Sequence, residues 1–346
     1  MHPPGFHSMP GASMSGGGIM SGGGSSGGGG GGSSSMMSVD TNPSTADCQE
    51  AGGKFSFLKG HSKSIDSLAW SNDGDYLASA GHEPVVKVWN AESKRCQDLQ
   101  GHTSSVSSVE WSPSRSRMLA SAGKESAVRF WDTRAGRETK HVKLTGSNLN
   151  MAWSPDGHLL AVSNLEDYVN VVDTRMFTVL HTFQFPGVTN EFVWTKDMSE
   201  IICSTLKRGT LQVYSYPDFV MTQEVQGHTA GCYHLTMAPN GRFLCSGSVD
   251  SCICLWEVED MICLGSMSGV PENVVSVKFN HNGELVAVGF EREKIQVFDV
   301  DSGEIKYQLP VNASVPVLAM HPRTNTMAFA PDDKERNVVI WQMPSS

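Results

Sequence analysis

Gly227 to Glu257 reads GHTAGCYHLTMAPNGRFLCSGSVDSCICLWE, and its punctuation decides the fold. Gly227-His228 opens the stretch, and His234–Ala238 alternates polar and apolar residues as a half-buried strand does. Pro239-Asn240-Gly241 then reads as a turn, because Pro presets φ and Asn-Gly tolerates positive φ. A second strand over Phe243–Gly247, a turn at Ser248-Val249-Asp250 and a third strand over Cys252–Trp256 follow, with Met261–Leu264 as the fourth. Each run is short, rich in β-branched, aromatic or sulfur-bearing residues, and bounded by turn formers.

The same grammar recurs. Trp89-Asn90, Trp131-Asp132, Val172-Asp173, Tyr214-Ser215, Trp256-Glu257, Phe298-Asp299 and Trp341-Gln342 each close a copy, spaced roughly 42 residues apart. That period is one four-stranded propeller blade, so the sequence predicts an all-β, seven-bladed propeller. Other turns stay legible at Pro155-Asp156-Gly157, Lys196-Asp197, Asn282-Gly283 and His321-Pro322. Lys54–Leu58 is a strand ahead of the first blade, and no fourth strand follows Val338–Trp341. The first strand is therefore expected on the outer edge of the last blade, joining the two ends of residues 54–346 into one closed ring.

Residues 1–53 read differently. Gly, Ser and Met dominate them, with no Lys or Arg, and too little apolar surface is present to offset ordering entropy. A disordered low-complexity tail is the expectation. It lacks the positive n-region and apolar h-region of a signal peptide. No stretch of the 346 residues approaches the ~18–20 apolar residues of a membrane span, so a soluble intracellular protein without membrane contacts is expected. The net charge of −10 argues against phosphate-backbone binding as a main activity. The eight cysteines read as buried thiols of a reducing compartment; Cys252 and Cys254 have no second pair at metal-ligand spacing.

Four polar residues of the quoted copy, His228, Ser246, Asp250 and Trp256, form a candidate structural relay. The carboxylate accepts from the imidazole, and the hydroxyl links the imidazole to the indole, which only donates. Blade one offers His61, Ser79, Glu83 and Trp89; blade two offers His102, Ser121, Glu125 and Trp131. Glu in place of Asp adds a methylene, which predicts looser relays there. Blades three, four, six and seven lack the Gly-His opening. A His/Ser/Asp set also suggests a hydrolase, but catalysis needs an exposed nucleophile beside oxyanion donors, whereas these sit inside a structural repeat. No catalytic, metal or cofactor site is expected, nor a small-molecule substrate.

The period and relay together resemble the WD40 repeat family across residues 54–346. Within it, Asn148–Gly157 with Val172-Asp173-Thr174-Arg175, Asn190–Trp194 with Tyr214–Pro217, and His321-Pro322 with Ala328–Asp333 resemble the WD-repeat subunits of THO complexes. That resemblance implies a non-catalytic nuclear scaffold, held among protein subunits of an assembly coupling transcription and processing to messenger RNA export, with RNA associated indirectly.

Two other readings attach to particular residues. Trp131-Asp132-Thr133-Arg134, echoed by Val172-Asp173-Thr174-Arg175, is similar to the WDxR box of cullin-4 ubiquitin ligase substrate receptors, in which Arg134 and Arg175 would face the adaptor. Lys124, Lys207, Arg208 and Lys334 fall in turns between second and third strands, which emerge on one side of the ring; they are candidate partner contacts, or direct contacts to RNA.

Overall fold

Short apolar-alternating runs separated by tight turns can satisfy their backbone only by pairing with a neighbouring run, and the described residues form 28 such strands in seven four-stranded sheets. The computed structural model describes residues 52–185, 189–267, 272–292 and 294–344. Residues 1–51, on which most of the low-complexity reading falls, lie outside the described residues.

A single strand, β1 (Lys54–Leu58), precedes the first blade. Blade one is β2 (Ile65–Trp70), β3 (Tyr76–Gly81), β4 (Val85–Asn90) and β5 (Cys96–Gln100). Blade two is β6 (Val106–Trp111), β7 (Met118–Gly123), β8 (Ala127–Asp132) and β9 (Arg137–Lys143). Blade three is β10 (Asn148–Trp153), β11 (Leu159–Asn164), β12 (Tyr168–Asp173) and β13 (Thr178–Gln184). Blade four is β14 (Thr189–Trp194), β15 (Glu200–Thr205), β16 (Thr210–Ser215) and β17 (Met221–Gln226). Blade five is β18 (Cys232–Met237), β19 (Phe243–Ser248), β20 (Ile253–Glu257) and β21 (Ile262–Met267). Blade six is β22 (Val274–Phe279), β23 (Leu285–Phe290), β24 (Lys294–Asp299) and β25 (Ile305–Pro310). Blade seven has β26 (Val317–Met320), β27 (Thr326–Ala330) and β28 (Val338–Gln342), and takes β1 as its fourth strand.

That last pairing closes the ring. β1 runs antiparallel to β28 with Lys54 opposite Gln342 and Leu58 opposite Val338. The Trp341 indole donates to the Gly52 carbonyl at 2.9 Å and stacks on Phe55. Gly53 adopts φ +85, and a Cβ there would lie 2.2 Å from the Gln342 carbonyl oxygen. Gly52 and Gly53, assigned to the tail by composition, pack on blade seven.

Each inner strand neighbours that of the next blade, and β2 meets β26, so seven inner strands encircle a channel. The turns from first to second and third to fourth strand lie on one face, here the turn face. Turns from second to third strand, and the blade-to-blade crossovers, lie on the other, the crossover face. The apolar core lies between blades: Leu285, Val297 and Leu309 of blade six pack on Met327, Phe329 and Trp341 of blade seven, and the other junctions repeat this. Trp131, Trp256 and Trp341 are fully buried, each contributing about 1.5–3 kcal/mol or more by leaving water.

Candidate functional site

The relays of blades one and five are hydrogen-bonded throughout, and in blade two the His102–Glu125 link is a close contact without hydrogen-bond geometry. In blade five the Trp256 indole donates to Ser246 Oγ at 2.9 Å, Ser246 Oγ lies 2.8 Å from His228 Nε2, and His228 Nδ1 lies 3.2 Å from Asp250 Oδ1. One direction satisfies every member: indole to hydroxyl, hydroxyl to Nε2, Nδ1–H to carboxylate. Asp250 Oδ2 also accepts from the Thr229 N–H, tying the crossover loop to the turn after β19.

The glutamate relays are shorter, which corrects the expectation of looseness. His61 Nδ1 is 2.5 Å from Glu83 Oε1, and His102 Nδ1 is 2.7 Å from Glu125 Oε1. Ser79 and Ser121 link these rings to the Trp89 and Trp131 indoles. The extra methylene lets one carboxylate oxygen reach the imidazole while the other takes the Ser62 or Thr103 hydroxyl. Burial lowers the pKa of His61 and His228, and pulls His102 down to about 4, so all three rings are neutral in this network near pH 7. Burial pushes Glu83 up, but hydrogen bonds from Ser62 and His61 outweigh it and hold the carboxyl below its ordinary value.

The predicted contact residues divide between the faces. Lys124, Lys207, Arg208 and Lys334 are all exposed on the crossover face, but in blades two, four and seven, so they form no contiguous patch. Arg134 and Arg175 lie on the turn face, in neighbouring blades two and three. Arg175 folds back, its Nη2 2.7 Å from Asp173 Oδ2. The Arg134 guanidinium has no acid partner among the described residues and helps line a cleft of about 300 Å³ with Arg117, Tyr76 and Gln97.

At the turn-face end of the channel lies a chamber of about 380 Å³. Trp70, Trp111, Trp153 and Trp194 end four successive inner strands, and each indole donates to a carbonyl of the preceding blade: Ala319, Ala69, Glu110 and Ala152. Deeper in the channel, Glu191 Oε2 accepts from the Leu235 N–H at 2.8 Å and lies 3.4 Å from His234 Nδ1, while Oε1 lies 3.4 Å from Lys278 Nζ. Burial would raise the Glu191 pKa, but Lys278, His234 and the Leu235 amide hold it at about 2.

This geometry agrees with what the chain resembles. Residues 52–90, 93–132 and 219–257 match the WD40 family, WD domain, G-beta repeat. A protein of Arabidopsis thaliana described as THO complex subunit 3 is 35% identical over 281 residues, spanning 80% of this chain and 89% of the relative. The chain belongs to the THO complex subunit 3 family of WD40 proteins. WD repeat-containing protein AAC3 of Dictyostelium discoideum is 27% identical, over 80% of this chain and 64% of that protein. Among solved structures, the β-propeller domain of Cps50 (Swd1) from Myceliophteria thermophila superposes with a TM-score of 0.75 at 19% identity, covering 84% of this chain and all of that one. At that identity the likeness concerns the fold.

Sequence reasoning on this THO complex subunit 3 family member missed two sets of residues. The four tryptophans recur every 41 or 42 residues, a signal present in the chain but hidden behind the closing dipeptides. The channel carboxylates and Lys278 carry no periodic signal, because the residue type at their positions changes from blade to blade. Blades without the His relay use substitutes. In blade three, Asn164 donates to the Thr145 carbonyl at 2.6 Å and accepts from the Glu166 and Tyr168 amides. Of the described cysteines, Cys203, Cys232, Cys245 and Cys254 are buried as expected, whereas Cys96 and Cys263 are exposed on outer strands.

Proposed function

We propose that this protein is a non-catalytic scaffold subunit of a THO-type complex, acting in the nucleus where transcription and messenger RNA processing are coupled to export. The observation that carries this reading is the 35% identity to the Arabidopsis relative over 281 residues, 80% of this chain. The geometry supports it physically. A rigid closed ring presents two rims of loops, and loops on a rigid scaffold are where recognition resides. The polar residues that suggest chemistry are consumed in structural relays: Ser246 Oγ is buried between an indole and an imidazole and is not free to attack a substrate. The protein contacts other subunits, and RNA associates through them.

The ligase-receptor reading keeps only part of its basis, since Arg175 is paired with Asp173 and Arg134 alone extends freely from the turn face. Depleting the protein and imaging polyadenylated RNA tests the export role. Nuclear accumulation of that RNA is expected, relieved by re-expression; an unchanged distribution after depletion contradicts the role.

A further inference from the structure

The chamber on the turn face holds a carboxyl group with no hydrogen-bond or ion-pair partner among the described residues. Two carboxylates enter this end of the channel, Glu110 from β6 and Glu191 from β14, against one ammonium, Lys278 from β22. Lys278 is taken by Glu191, which also receives the Leu235 amide and faces His234. The Glu110 carboxylate has no hydrogen bond or ion pair to any described residue, although it lines the cavity beside the indoles of Trp70, Trp111, Trp153 and Trp194. The facing positions on β2 and β10 are Ala69 and Ala152, which offer room rather than charge.

An unpaired carboxylate among aromatic walls suits an organic cation, and a planar guanidinium best. It bridges a carboxylate with two N–H groups and stacks on ring faces, with less hydration to shed than an ammonium. The surroundings point to a polypeptide source. On the turn face of blades five and six, Glu259, Asp260, Glu284, Asp301 and Glu304 are exposed and make no ion pair with any described residue, while the nearby Arg242 is taken by Glu257. That acidic sector lies on the same face as the one on which the chamber opens, and attracts a basic segment.

We propose that the turn-face mouth of the channel receives an arginine side chain of a basic segment of a partner protein, with Glu110 as its carboxylate acceptor. This inference stands independently of the THO reading, because it concerns the chemistry of the occupant and not the assembly. Burial raises the Glu110 pKa to about 7, with Glu191 adding to the rise and Lys278 opposing it. Occupation by a cation therefore strengthens as pH rises through that value.

The test titrates the full-length, nitrogen-15-labelled protein with the peptide acetyl-Gly-Arg-Gly-amide, its citrulline analogue and methylguanidinium, reading tryptophan indole N–H signals assigned by single Trp→Phe changes. The arginine peptide should shift the Trp70, Trp111, Trp153 and Trp194 signals saturably, and the citrulline peptide should not. Glu110→Gln should weaken the interaction by about ten-fold or more, with indole dispersion showing that the variant folds. Lys278→Gln, which removes the competing ammonium, should strengthen it. No saturable shift, or equal shifts in Glu110→Gln, overturns the proposal. Methylguanidinium binding as tightly as the peptide overturns the assignment to a polypeptide.

Discussion

Lys278 on β22 reaches past blade five to Glu191 on β14, Nζ to Oε1 at 3.4 Å, so the pair spans two blades that do not touch along the ring. Glu191 also holds the Leu235 amide. Glu191→Gln should cost about 1–3 kcal/mol in urea unfolding, because it strands a charge and weakens a buried amide bond. Adding Lys278→Met should recover part of that loss. Additive losses would show that the two side chains do not act together.

The relay of blade five gives a second expectation. Asp250 accepts from His228 and from the Thr229 and Cys252 amides. Asp250→Ala leaves these donors without their partner and should lower stability by about 1–3 kcal/mol, read from the chemical-denaturation midpoint. Glu83→Ala in blade one should cost at least as much, given its shorter contact with His61. A negligible loss in Glu83→Ala would show the short contact to be incidental.

Acid should loosen the ring through the buried histidines. His102 has an ordinary value of 6.5 and is held at about 4 by burial, so the unfolded chain binds the proton more readily than the folded one. The stabilisation is fully present above about 6.5 and drains as pH falls toward 4. Glu125, held at about 2, adds a loss only as pH drops below its ordinary 4.5. Melting temperature should fall between pH 7 and pH 4.5, and less steeply in His102→Gln. An equal slope in both proteins would remove His102 from the explanation.

Closure by β1 is testable by deletion. Removing residues 52–58 takes away Leu58, which is buried, along with the Gly52 acceptor of Trp341 and the partner of β28. The loss should be at least about 3 kcal/mol, since Leu58 burial alone accounts for much of that and an apolar edge is left open. A thermal melt matching the intact protein would contradict the closing role.

What the sequence revealed follows from what repeats. The Trp-Asp-like closings, the Pro-Asn-Gly turn and the His228–Ser246–Asp250–Trp256 set recur or nearly recur, so periodicity places them without knowledge of the structure. The shortening of the Glu83 and Glu125 relays was hidden, because it depends on where the loop backbone lies and not on side-chain length alone. Glu110, Glu191 and Lys278 were hidden more deeply. They are 81 and 87 residues apart along the chain, and only closure of the ring brings them to one chamber. Arg175 looked like a contact residue in the sequence, yet its own Asp173, two residues away, holds it.

The most direct test of the account is to recover the tagged protein from nuclear extract and identify the proteins that co-purify in stoichiometric amounts. The account predicts the remaining subunits of a THO complex. Recovery of the protein alone, or with a cullin-4 adaptor and no THO subunit, would contradict it.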